Sequence, residues 1–93
     1  MPRLTDEQVK QRMAALDGWS LDGSEIRKSY SFADFRAAIH FVQQVADLAE
    51  EADHHPDILI NYDRVTLSLS THSEGGLTDK DMDLARRIDR LLE

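Results

Sequence analysis

A chain of 93 residues predicts a single domain spanning 1–93 with one thin core. Eleven Lys and Arg against eighteen Asp and Glu give a net charge of -7, and the basic residues are scattered among acids, so phosphate backbones are repelled and no nucleic-acid partner is expected. The absence of cysteine excludes disulfide staples, a thiolate nucleophile and zinc-thiolate sites, so stability must come from packing and a subunit interface, in a reducing compartment.

Met1-Pro2-Arg3-Leu4-Thr5-Asp6-Glu7 lacks the apolar run of a signal peptide, and no stretch approaches the ~20 apolar residues of a membrane span. The expectation is a cytoplasmic protein with no membrane association. Thr5-Asp6-Glu7-Gln8 reads as a capping box opening a short first helix, with Val9, Met13 and Leu16 at helical spacing and an end by Asp17-Gly18. Trp19-Ser20-Leu21 then alternates as a strand, Asp22-Gly23 supplies a turn, and Ile26, Lys28, Tyr30 and Phe32 share one face of the return strand. Lys28 interrupts that apolar face, which predicts a strand lying partly at a sheet edge.

Ser31 or Asp34 can cap a long second helix whose stripe is Phe35, Ala38, Ile39, Val42, Val45, Ala46 and Ala49, with Pro56 forcing its end. Ile58 to Tyr62, a turn at Asp63-Arg64, and Val65 to Ser70 make a second hairpin. Its last strand sets Val65, Leu67 and Leu69 against Thr66, Ser68 and Ser70. Gly75-Gly76 marks a flexible loop, Thr78 with Asp79 and Asp81 caps a third helix, and Met82, Ala85, Ile88 and Leu92 form its buried stripe. The predicted class is α+β: a four-stranded antiparallel sheet with helices packed on one face, in the order α-β-β-α-β-β-α.

Three of the four histidines fall at element ends: His54 and His55 before Pro56, and His72 after Ser70-Thr71. If the helix persists through His54, Glu50 lies one turn below it and Asp53 beside it; carboxylates so placed and the negative helix end suit an imidazole for general acid–base work. If the last strand stays regular, His72 shares the polar face of Ser68 and Ser70, a floor on which hydroxyls and Thr71 hydrogen-bond a heterocycle. Simpler readings stand beside these. His54 alone reads as a helix C-cap, His40 as a surface or interface residue, Trp19 and Phe32 as core, and Glu51, Asp57 and Asp63 as solvated charges. Thr78 and Asp81 are accounted for by capping. A zinc or iron site uses the same residue types, but adjacent His54 and His55 rarely chelate one ion, and no two-His-plus-carboxylate spacing is present.

Glu50-x-x-x-His54-His55-Pro56, then Tyr62, Ser70-Thr71-His72 and Gly76-Leu77-Thr78-x-x-Asp81, together with Gly18-Trp19 and Phe32-x-x-Phe35-x-x-Ala38, resemble the pterin-4a-carbinolamine dehydratase family. The one departure is Ser73, where the family commonly has an acid; Glu74 follows one place later. The resemblance implies three helices on one face of the sheet, a homodimer or homotetramer, and dehydration of 4a-hydroxytetrahydropterin to quinonoid dihydropterin, with no metal and no organic cofactor. That reaction recycles the cofactor of aromatic amino-acid hydroxylases, a functional link to phenylalanine hydroxylase. On this reading His54, His72 and His55 are catalytic, with His54 and His72 as the proton-transfer pair. Glu50, Asp53, Pro56, Ser70, Thr71 and Asp81 serve substrate binding and orientation. A binding module is the competing class, since some proteins of this fold are dimerisation partners of transcription factors in animals. A metal-dependent hydrolase is the third.

Overall fold

The computed structural model describes residues 2–93. Helix α1 (Asp6–Met13) begins at the predicted capping box: Thr5 Oγ1 accepts from the Gln8 amide at 3.2 Å, and the Gln8 side chain accepts from the Thr5 amide at 2.9 Å. Strands β1 (Ser20–Asp22) and β2 (Glu25–Ser31) form the first hairpin. Helix α2 (Phe35–Ala52) is capped by Asp34, the second of the two candidates, through the Ala37 amide at 2.8 Å. Strands β3 (Asp57–Asn61) and β4 (Arg64–Leu69), a 3₁₀ turn at His72–Glu74 and helix α3 (Asp79–Arg90) complete the chain. The predicted class and element order hold.

All pairings are antiparallel, in the spatial order β1-β2-β4-β3. Alternation puts Val65, Leu67 and Leu69 of β4 and Ile26 and Tyr30 of β2 on one face, where they meet Ala38, Phe41 and Val45 of α2 and Met82, Ala85 and Ile88 of α3. Val9, Leu16 and Trp19 close the same core, with Phe32 partly buried against it. Burying a side chain such as Phe41 stabilises the fold by roughly 1.5–3 kcal/mol.

Several expectations are corrected. Another holds: although β2 lies between β1 and β4, β1 pairs only with its Glu25–Arg27, so from Lys28 onward the strand is bonded to β4 alone and lies partly at an edge. Lys28 stays on its inner face because its ammonium reaches the Asp17 carbonyl at 2.9 Å and Asp89 Oδ1 at 3.0 Å. Its stem lies against Gly18, whose φ of +82° and lack of a Cβ both permit the approach. In α2, Phe41 takes the core position, while Phe35 is half exposed and Ala46 exposed. The helix carries more apolar surface than one sheet can cover, and both sets of residues recur at helical spacing. The β3–β4 turn falls at Tyr62-Asp63, one residue early, with Tyr62 at φ +52°, the sign a type II′ turn needs at its first central position. Leu92 lies beyond α3 and is exposed. The Gly75-Gly76 segment is tied down by an isolated bridge between Thr71 and Gly76.

Candidate active site

Two chain reversals set the geometry. At the end of α2, Asp53 adopts φ +50° in the left-handed region, the His54 amide donates to the Ala49 carbonyl, and the Asp53 amide donates to Glu50. This is a Schellman ending with aspartate in the position usually held by glycine. The helix therefore stops at Ala52 and His54 leaves its axis. The expected stacking of Glu50 under His54 does not form. Glu50 pairs instead with His55, Oε2 to Nε2 at 2.5 Å, on the open surface.

At the second reversal β4 ends at Leu69, short of His72. The chain turns through Ser70 and Thr71 into the 3₁₀ turn, so His72 does not continue the polar strand face. Its ring is exposed, whereas Thr71, one residue earlier, is buried.

Both reversals converge on Asp81, which is wholly buried at the start of α3. An unpartnered carboxylate there would cost several kcal/mol. Three hydrogen-bond partners remove that cost. The Thr78 amide reaches Oδ2 at 3.0 Å, the Thr71 hydroxyl reaches the same oxygen at 2.8 Å, and His54 Nε2 lies 2.5 Å from Oδ1. Thr71 and Thr78 hydroxyls are 2.9 Å apart, and Thr78 Oγ1 also accepts the Lys80 amide. Capping thus explains one oxygen of Asp81, and the other holds a histidine 27 positions away. The His54 side chain is 10% exposed, so this ring is held at the edge of the core.

The structure brings His54, Thr71 and Asp81 into one network, with His72 following Thr71 and His55 following His54 in the chain. Asp53 is the exposed helix cap, Pro56 leads into β3, and Ser70 carries no side-chain hydrogen bond among the described residues. Thr78 was legible only as a cap; the cue to more was that it stands in the same short loop as Thr71. Among the described residues no three His, Cys, Asp or Glu side chains gather in a metal-holding arrangement. His40 is exposed on α2. No described helix is long and apolar enough to cross a membrane.

Residues 2–91 match the family model for pterin 4 alpha carbinolamine dehydratase. A protein of Roseiflexus sp., provisionally named a pterin-4-alpha-carbinolamine dehydratase, is 52% identical over 90 residues, covering 97% of each chain. A similarly named protein of Sulfolobus acidocaldarius is 40% identical over 89 residues, covering 96% of this chain and 98% of its own. Among solved structures, a Brucella melitensis protein described as a transcriptional coactivator/pterin dehydratase superposes with a TM-score of 0.92 at 41% identity, over 98% of this chain and 99% of that one. A pterin dehydratase-like RuBisCO assembly factor of the alpha-carboxysome shares the fold at a TM-score of 0.65 and 23% identity, over 78% of this chain and 84% of that one. With the family model matched over nearly its whole length, this chain belongs to the pterin 4 alpha carbinolamine dehydratase family.

Proposed function

We propose that this protein, as one dehydratase domain over residues 1–93, removes water from 4a-hydroxytetrahydropterin to give quinonoid dihydropterin. The reaction breaks the bond between C4a and its hydroxyl, which leaves as water after taking up a proton. The neighbouring ring nitrogen loses its proton, and a carbon–nitrogen double bond forms between them. One acid and one base suffice, so the step needs neither metal nor cofactor. His54 and His72 exchange these protons, and His55 orients the pterin with Glu50 as its partner. Asp53, Pro56, Ser70 and Thr71 border the site, and Asp81 holds His54. The observation that carries this reading is the buried Asp81 carboxylate, which ties the His54 segment to Thr71, the residue before His72.

The proposed setting is a homodimer or homotetramer in the cytoplasm, recycling the pterin of an aromatic amino-acid hydroxylase such as phenylalanine hydroxylase. The test is to follow the ultraviolet decay of enzymatically generated 4a-hydroxytetrahydropterin. His54→Ala and His72→Ala should each slow it by about a hundred- to ten-thousand-fold, the usual cost of losing a positioned proton-transfer group. Wild-type decay with both folded variants would sink the mechanism. The dual description of the Brucella relative supports a second reading, a protein-binding role. A wild-type protein that binds pterin but leaves the decay unchanged would favour it.

A further inference from the structure

The hydrogen bonds around Asp81 run in one direction, and that direction fixes where the His54 proton sits. Thr78 Oγ1 accepts the Lys80 amide, and Thr71 has one hydroxyl proton, which goes to Asp81 Oδ2. The contact between the two hydroxyls is then made by the Thr78 proton, donated to Thr71 Oγ1. Asp81 Oδ2 also accepts the Thr78 amide. The other two groups facing the carboxylate, the Thr71 hydroxyl and the Thr78 amide, are both donors, and a carboxylate surrounded in this way acts as an acceptor toward His54 as well.

We infer that His54 is held with its proton on Nε2, that its Nδ1 is the nitrogen that exchanges protons with the pterin, and that Asp81, Thr71 and Thr78 are positioning residues for this tautomer. Nδ1 has no protein hydrogen-bond partner among the described residues. No buried side-chain nitrogen or oxygen there lacks a partner, so Nδ1 opens to the surface. The ring is thus anchored on its buried side and available on the other. This assignment deepens the dehydratase reading and rests on it for the role of Nδ1.

Asp81→Asn supplies the test, because the same network dictates how the amide must sit. Two donors face the Oδ2 position, so the asparagine oxygen belongs there and its NH₂ faces His54. Nε2 must then accept, and the proton moves to Nδ1. Long-range nitrogen–proton correlation spectra of the neutral ring should show an Nε2–H tautomer in the wild type and an Nδ1–H tautomer in D81N. Dehydration should fall by about a hundred- to ten-thousand-fold, as is usual when an anchoring aspartate becomes asparagine and the tautomer inverts, with KM little changed. Thr71→Val should lower kcat about tenfold or more, and Thr71→Ser should restore it, since only the hydroxyl matters. A wild-type ring protonated on Nδ1, or a D81N ring still protonated on Nε2, overturns the tautomer assignment whatever the activity. An inverted tautomer with wild-type turnover overturns the role of Nδ1. Failure of the dehydratase reading shows separately, as no turnover by the wild-type protein, while the spectra still decide the tautomer.

Discussion

Helix α3 carries a carboxylate centre at each end, and the two are built for different ends. Asp89, in its last turn, accepts Trp19 Nε1 at 3.1 Å, Lys28 Nζ at 3.0 Å and the Tyr30 hydroxyl at 2.7 Å. Lys28 also lies 5.0 Å from the Tyr30 ring centroid. Its partners are a cation, an indole and a phenol, all committed to ties between α3, β2 and the segment before β1. The Asp81 network instead ends on an imidazole with one nitrogen uncommitted. A carboxylate balanced by a lysine makes a closed structural knot. One balanced by hydroxyls, an amide and an imidazole leaves a group that can still exchange protons.

The same substitution at both ends should separate the two. Asp81→Asn is expected to lose activity by the orders of magnitude given above while the chain stays folded. Asp89→Asn should instead lose stability by about 2–3 kcal/mol, because it strips Lys28 of its counter-charge and leaves one donor facing another, with turnover per folded molecule unchanged. Urea unfolding paired with the ultraviolet assay reads both; equal activity losses in the two variants would erase the distinction.

A smaller effect sharpens the structural side. Burial first, then the hydrogen bond to Asp89 and its negative charge, push the Tyr30 phenol well above its ordinary value of 10.0. The unfolded chain therefore releases this proton near pH 10 while the folded chain keeps it. Tyr30's contribution is complete below that point and is lost as pH rises toward the folded value. Tyr30→Phe should cost roughly 1.5 kcal/mol at neutral pH from the lost hydrogen bond and should flatten the decline in stability above pH ~10. An unchanged alkaline slope would show that Tyr30 is not its source.

The smallest expected effect lies outside both centres. Tyr62, at φ +52° and 67% exposed, occupies a turn position that glycine fills without strain. Tyr62→Gly should raise unfolding stability by about 1 kcal/mol, read as a higher urea midpoint. A lower midpoint would mean that the exposed ring contributes more than the turn costs.

Local signals carried most of the architecture. The boxes at Thr5 and Thr78 each need only residues three apart, and the alternation of Val65, Leu67 and Leu69 follows from the two-residue period of a strand. The candidate site was legible as a set of residue types, including His54, His55, His72 and Asp81, but not as a set of partners. Pro56 pointed to the end of α2, yet the helix stops earlier because Asp53 takes a left-handed conformation. That small difference sends His54 away from Glu50. The short β4 likewise takes His72 off the strand face.

The amino-acid order by itself determined where helices and strands arise, which strand face is apolar, and which side chains could handle protons, because each depends on periodicity or on neighbours within a turn. Tertiary structure alone decided the strand order β1-β2-β4-β3, that Phe41 displaces Phe35 from the core, that Lys28 is neutralised by Asp89, and that His54 answers to Asp81. Each of those outcomes depends on which groups compete for one buried space. The pairing of His54 with Asp81 shows why: a buried carboxylate takes whatever donors the packed chain delivers, and 27 residues of sequence carry no local sign of which one arrives.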